Sequence, residues 1–281
     1  MKDNKIIPNF QIKCKDKLLD LSKPLVMGIL NVTPDSFYKG SRVKSIGVIL
    51  ATVQTMLEDG ASIIDIGGVS TRPGADPVSM QEELNRIIPA INAIVDEFPG
   101  VIISVDTFRA EVASKAVKAG ASIVNDVSGG RLDSKMFETI AELDVPYVLM
   151  HSRGDSKNMQ SLTDYKNVVQ DVISELSRDL QKLRSVGVKD VIIDPGFGFA
   201  KTIDQNYELL NGLEHFKVLG CPLLVGVSRK SMIYKRLKIN PEEALNGTTV
   251  LNTIGVAKGA KILRVHDVKE AMQVVGLTNL I

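Results

Sequence analysis

The chain has 281 residues, of which 44% are hydrophobic and 24% charged, and its net charge is +1. Such a composition suits one large globular domain or two small ones. The charge gives no electrostatic reason to bind nucleic acid or an anionic membrane, and no apolar run approaches the ~18 residues of a membrane span.

At the N-terminus, "MKDNKIIPNFQIKCKDKLLD" is charged throughout and lacks the apolar core of a signal peptide. Cys14 and Cys221 are far apart and form no CxxC. The expectation is a reduced, cytosolic protein with two incidental thiols. Residues 1–23 form an extension in which "FQIKCKDKLLDLS" predicts a small hairpin around Lys15–Lys17, placed to close the bottom of the domain that begins at residue 24.

From residue 24 onward, eight short apolar runs recur: PLVMGIL (24–30), SIIDIG (62–67), VIISVD (101–106), SIVND (122–126), PYVLM (146–150), VIID (191–194), PLLVGV (222–227) and KILRV (261–265). Each is too short for a helix and rich in Val and Ile, so each predicts a buried strand. Their near-continuous apolar character points to a parallel sheet covered on both faces.

Helical signals fill most intervals. Ile46, Ile49, Leu50, Val53 and Met56 form one stripe. Ser79 with Glu82 reads as a capping box, followed by Leu84, Ile87, Ile88 and Ile91. Val168, Val169, Val172, Ile173, Leu176, Leu180 and Leu183 form another stripe, and Asn240-Pro241 predicts a further helix start. Gly60, Gly120, Gly187 and Gly259 stand between a helix and the next strand. "EDGASIIDIGG", "VKAGASIVNDVSGG" and "VAKGAKILRVHDV" echo one another. A βα unit repeated eight times predicts a TIM (β/α)8 barrel over 24–281, with no composition break to mark a second domain.

The predicted strands end in Asn31, Asp65, Asp106, Asn125, His151, Asp194, Ser228 and His266. In this fold the C-terminal strand ends form the active site. Asp106, Asn125 and Asp194 offer acceptors from three strands and Asn also donates, which suits a flat heterocycle with a mixed N–H and ring-nitrogen edge, such as a guanine-like pyrimidinone. Phe197 and Phe199 could wall it, and Met150 could cover a ring face. Arg264 and His266, two apart on the last strand, suit a phosphate or pyrophosphate, with Asp267 capping the next helix and Lys230 of "SRKS" as a third cation. The three histidines, His151, His215 and His266, have no zinc-site spacing. A magnesium ion held mainly by pyrophosphate and water remains open, and His215 reads as a solvated side chain.

The motifs "GILNVTPDSF" (28–37), "DIGG" with "STRPGA" (65–75), "SVDT" (104–107), "VNDVSG" (124–129), "DPGFGF" (194–199), "GVSRKS" (226–231) and "RVHDV" (264–268) resemble, in order and over nearly the whole chain, those of the dihydropteroate synthase family of pterin-binding enzymes. That family condenses 6-hydroxymethyl-7,8-dihydropterin diphosphate with 4-aminobenzoate in folate biosynthesis and is inhibited by sulfonamides. The resemblance implies a pterin site of Asp106, Asn125, Met150, Asp194, Phe199, Gly226, Lys230 and Arg264. It also implies an aminobenzoate site of Phe37, Thr71, Arg72, Pro73, Lys230 and Ser231, and a diphosphate site of Asn31, Arg72, Arg264 and His266. Asn31 would ligate Mg²⁺; Asp106, Lys230, Arg264 and His266 would carry the chemistry; a cytoplasmic homodimer is expected. Gly28, Gly40, Gly67, Gly68 and Gly74 would hinge the two loops that close over the site.

The chain departs from the family at Tyr38-Lys39-Gly40-Ser41, where Ser-Asp-Gly-Gly is usual, and at Val69, where many members carry Glu. Two other readings compete: a folate-dependent methyltransferase working with a corrinoid partner, and a non-catalytic pterin binder. The NVTPDSF and STRPGA loops and the Arg264–His266 pair argue against the first, since a methyl transfer has no diphosphate to hold. The retained Asn31, Asp106, Lys230 and Arg264 argue against the second.

Overall fold

The computed structural model describes residues 10–32, 42–69, 78–155 and 158–280. It opens with the predicted antiparallel hairpin, β1 (Gln11–Cys14) and β2 (Lys17–Asp20), with Lys15 in the turn at a φ of 54°. Among the described residues, eight parallel strands come next: β3 (Leu25–Asn31), β4 (Ile63–Gly67), β5 (Ile103–Asp106), β6 (Ile123–Asp126), β7 (Tyr147–Met150), β8 (Val191–Asp194), β9 (Leu223–Val225) and β10 (Ala260–Val265). They close into a barrel in chain order, with β10 returning to pair with β3.

Outside lie α1 (Arg42–Glu58), α2 (Met80–Glu97), α3 (Ala110–Ala119), α4 (Met136–Leu143), α5 (Val168–Ser185), α6 (Ile203–Asn211), α7 (Ser231–Leu237), α8 (Leu245–Ala257) and α9 (Val268–Thr278). Each apolar stripe of a helix packs on the outward residues of the strands, and this layer is the larger core. Ser79 caps α2 by accepting the Glu82 N–H at 3.1 Å. Asn240-Pro241 opens a short 3₁₀ turn, Pro241–Glu243, and α8 begins only at Leu245, so the predicted helix start is one turn early.

The strands turn two rows of side chains inward. The lower row is Met27, Ile63, Ile102, Ile123, Val148, Ile192, Leu224 and Ile262, and it forms one cluster with Ile12, Cys14 and Leu21 of the hairpin segment. The hairpin therefore plugs the barrel floor, as its position in the sequence suggests. Polar contacts fasten it: Lys15 Nζ donates to the Gly120 carbonyl at 2.7 Å, Lys17 Nζ to the Gly100 carbonyl at 2.6 Å, and the Lys13 N–H to Asp190 Oδ2 at 3.1 Å. Two residues further along each strand the same alternation brings in Ile29, Asp65, Ser104, Asn125, Met150, Asp194, Gly226 and Arg264. An apolar floor thus supports a polar mouth. Gly28 is no hinge: it lies inside β3, paired on both sides, and a Cβ there would stand 3.0 Å from Met56 Sδ.

Candidate active site

Arg264, on β10, reaches across the mouth. Its Nε donates to Asp65 Oδ2 and its Nη2 to Asp106 Oδ2, each at 2.7 Å. Asp65 also accepts from Asn125 Nδ2 at 3.1 Å, so four strands meet in one network. Asp65 is fully buried and sits mid-strand rather than at the end of β4. Two carboxylates on one guanidinium fix its plane, a geometry that suits Arg more than Lys. Burial pushes the Asp106 carboxyl up to about 7; Arg264 opposes the rise, and the nearby Asp65 adds to it.

On the opposite wall, Asp194 ends β8 almost fully buried. Its Oδ1 accepts the Gly196 N–H at 2.7 Å. Burial raises its pKa, and Lys230 is the chief opposing charge. Lys230 Nζ donates to the Phe197 carbonyl at 2.6 Å and lies 5.0 Å from the centre of the Phe199 ring. Burial lowers the Lys230 ammonium to about 8, with Asp194 holding it up. Lys230 thus stands between Asp194 and Phe199 on one side and Arg264 on the other. Gly226 lies between Arg264 and Lys230: a Cβ there would be in ordinary van der Waals contact with both, 3.8 Å from Arg264 Cβ and 3.9 Å from Lys230 Nζ.

The two phenylalanines of "DPGFGF" part company. Phe197 is fully buried in the layer between barrel and helices, so it does not wall the site; Phe199 is half-buried at the mouth. Gly196 and Gly198 have φ of 72° and 82°, which breaks the strand alternation and sends one ring out and the other to the mouth. Met150, inward at the end of β7, is 2% exposed and presents its thioether from below.

At the rim, His266 is exposed just past β10. Its backbone N–H donates to Ser228 Oγ at 3.2 Å, and its Nδ1 lies 3.0 Å from the same oxygen. A hydroxyl proton given to Nδ1 leaves the ring proton on Nε2. Asp267 does not cap α9; its two oxygens accept from Nε and Nη2 of Arg229 at 2.9 and 2.8 Å. Arg229 has a φ of 53° and also donates to the Glu242 carbonyl at 2.7 Å, so the "SRKS" turn is bolted down on its outer side. Ser231 opens α7 directly after Lys230. Asn31 ends β3 exposed at the mouth, and its Oδ1 stands 3.8 Å from where a Cβ on Gly67 would be. Phe37, Thr71, Arg72 and Pro73, with Tyr38 to Ser41 and Gly74, lie outside the described residues. His215 is exposed, as expected, and both cysteines are buried free thiols.

Behind the Asp194 turn lies a polar group that the sequence did not advertise. Lys201, 4% exposed, donates to Gly196 O at 2.9 Å and Phe199 O at 3.0 Å, and its Nζ is 3.0 Å from His151 Nδ1. His151 Nε2 lies 3.1 Å from Glu175 Oε2. The strand-end position of His151 was the only visible hint; Glu175 is an unremarkable residue of α5.

A row of acid, amide and base set around a half-exposed aromatic ring can grip a planar heterocycle by its edge and face. The model for the pterin binding enzyme family matches residues 27–266. The chain is 48% identical over 250 residues to the dihydropteroate synthase of Bacillus subtilis, covering 88% of this chain and 85% of that one. It belongs to the pterin-binding enzymes, among the dihydropteroate synthases. Two solved relatives share its fold. A Yersinia pestis dihydropteroate synthase in complex with a sulfonamide drug has a TM-score of 0.90 and 39% identity, with 96% of this chain and 98% of that one covered. The Xanthomonas albilineans enzyme with 4-aminobenzoic acid has a TM-score of 0.89 and 37% identity, covering 97% and 98%; it has also been solved with 7,8-dihydropteroate.

Proposed function

We propose that this chain condenses 6-hydroxymethyl-7,8-dihydropterin diphosphate with 4-aminobenzoate to give 7,8-dihydropteroate and diphosphate. The observation that carries the reading is the convergence of Asp106, Asn125, Asp194, Lys230 and Arg264 on one barrel mouth in a chain of this family. Asp194 and Asn125 accept and donate along the pterin edge, and Lys230 donates to its acceptor atoms. Met150 lies beneath the ring; Phe199 and the fixed Arg264 plane flank it.

In the reaction the methylene C–O bond breaks, both electrons leave on diphosphate, and the aniline nitrogen forms the new C–N bond before losing a proton. The leaving oxygens gain charge, so donors placed there lower the barrier. We assign that role to His266 and Arg264, and by resemblance to the family to Arg72, which lies outside the described residues. Because Asp65 and Asp106 already offset Arg264, that arginine alone is a weak anion trap, and the rim histidine matters more than its exposure suggests. Asp106, facing the ring, stabilises positive charge left on the pterin methylene. A neutral aniline needs no strong base, so no nucleophile–base dyad is called for.

Magnesium is part of the proposal. Among the described residues no group of three His, Cys, Asp or Glu could hold a metal ion. The donor set instead fits an ion carried by the diphosphate: Asn31 offers one amide oxygen at the mouth, with room left beside it by Gly67. Bound there, Mg²⁺ would neutralise charge on the leaving group. Phe37, Thr71, Arg72, Pro73 and Ser231 are the proposed aminobenzoate contacts and the point where sulfonamides compete. Among the described residues no helix is long and apolar enough to cross a membrane. We place the enzyme in the cytoplasm as a homodimer, in keeping with its two buried free thiols and with the exposed Val250 and Ile254 of α8 and Leu277 of α9.

The test is diphosphate release by the purified protein with dihydropterin diphosphate and Mg²⁺, with and without 4-aminobenzoate. Release coupled to dihydropteroate is expected; pterin binding without product would overturn the reading. Asp106→Ala should lose about 100-fold or more in kcat. It should still fold, because Arg264 keeps Asp65.

A further inference from the structure

The turn that presents Asp194 and supports Lys230 is held from both sides. On the site side, Asp194 takes the Gly196 N–H and Lys230 donates to the Phe197 carbonyl. Behind it, Lys201 Nζ meets the Gly196 and Phe199 carbonyls and His151 Nδ1. An ammonium has three N–H donors and no acceptor, and Lys201 has three acceptors, so every proton is used. That arrangement requires His151 to carry its proton on Nε2, where it is donated to Glu175. Glu175 in turn is clamped by Arg153 at 3.1 Å through Nε and 2.5 Å through Nη2. Arg153 stacks over Tyr165 at 3.8 Å, and the Tyr165 hydroxyl donates to the Ala200 carbonyl at 3.0 Å, which closes the circuit on the same turn. The Gly196, Phe197 and Phe199 carbonyls cannot shift without loosening a buried amine from its acceptor.

We propose that Lys201 is a positioning residue for the reaction: through the Gly196 and Phe199 carbonyls it sets the turn that places Phe199 and Lys230 against the pterin, with His151 and Glu175 holding the acceptor that completes its shell. The inference rests on the synthase reading. It predicts an effect on capture of the pterin substrate that is larger than any effect on the aminobenzoate.

Lys201→Met keeps the length of the side chain and removes its donors. The expected result is a KM for dihydropterin diphosphate raised about tenfold or more, with the KM for 4-aminobenzoate within about twofold and the circular dichroism of the barrel unchanged. His151→Asn retains an acceptor near the Nδ1 position, whereas His151→Gln retains only a group near Nε2. The asparagine variant should keep its pterin KM within about threefold of wild type and the glutamine variant should not. That pair supplies the comparison if Lys201→Met does not fold. Wild-type pterin KM in Lys201→Met, or equal values for the two His151 variants, would overturn the inference. If the wild type itself makes no dihydropteroate, the function is wrong; direct titration of the same variants with dihydropterin diphosphate then still reads whether Lys201 sets the pterin site.

Discussion

Asp65 illustrates how a residue with no assigned substrate contact can control one that has. It is fully buried, holds Arg264 through Nε, and takes the Asn125 amide on the same oxygen. Its other oxygen has no hydrogen-bond partner among the described residues. Asp65→Asn removes the charge and leaves Asp106 as the one of the two carboxylates still paired with Arg264. The guanidinium plane should tilt, and kcat/KM should fall about tenfold or more, measured by steady-state kinetics beside a thermal melt. Asp106, Asn125 and Asp194 were legible in the sequence because a carboxylate or amide at the end of an apolar run is costly unless something pairs with it. Lys201 was not, since its partner His151 is 50 residues away and only the folded turn brings them together. Phe197 and Phe199 were indistinguishable for the opposite reason: "GFGF" is symmetric on the page, and the positive φ of the glycines decides which ring faces the site.

At the scale of elements, the site is a set of strand ends braced by what stands behind them. Helix α5 supplies Glu175, whose carboxyl burial alone would raise; hydrogen bonds from His151 and Arg153 outweigh that and hold it at about 2, against an ordinary 4.5. The folded state binds the ionised form more favourably than the unfolded chain does, so this contribution is complete above about pH 4.5 and fades as pH falls towards 2. It amounts to about 3 kcal/mol at most. Glu175→Gln should therefore lower the melting temperature at pH 7, and the gap to wild type should narrow as the pH is lowered from 5 to 3. A gap independent of pH would mean that the glutamate acts through packing alone. The strands and the stripes on α2 and α5 were plain from periodicity. The start of α8 was not, because Asn240-Pro241 is equally good chemistry for a 3₁₀ turn.

Taken as a whole molecule, the barrel separates tasks by depth: an apolar floor, a polar mouth, and helices outside. The barrel and its hairpin were legible, because eight apolar runs at βα spacing leave few alternatives. The surface proposed to join two copies was not, because exposed apolar residues on helices carry no periodic signal of their own. Val250 is 50% exposed, Ile254 36% and Leu277 68%. Val250→Glu with Ile254→Glu should convert the proposed dimer to a monomer in sedimentation analysis; an unchanged mass would place the interface elsewhere or remove it.

The plugged floor also bears on how the chain is made. Ile12, Cys14 and Leu21 leave the ribosome about 200 residues or more before Leu224 and Ile262, yet they share a cluster with them. Lys261 reaches the Ser22 carbonyl across 239 residues. At a synthesis rate of about 5–20 residues per second, the hairpin must wait tens of seconds for its last neighbours. Until then Ile12, Cys14 and Leu21 have only the earlier strands for cover, and completion of the final strand is the moment at which the floor can seal.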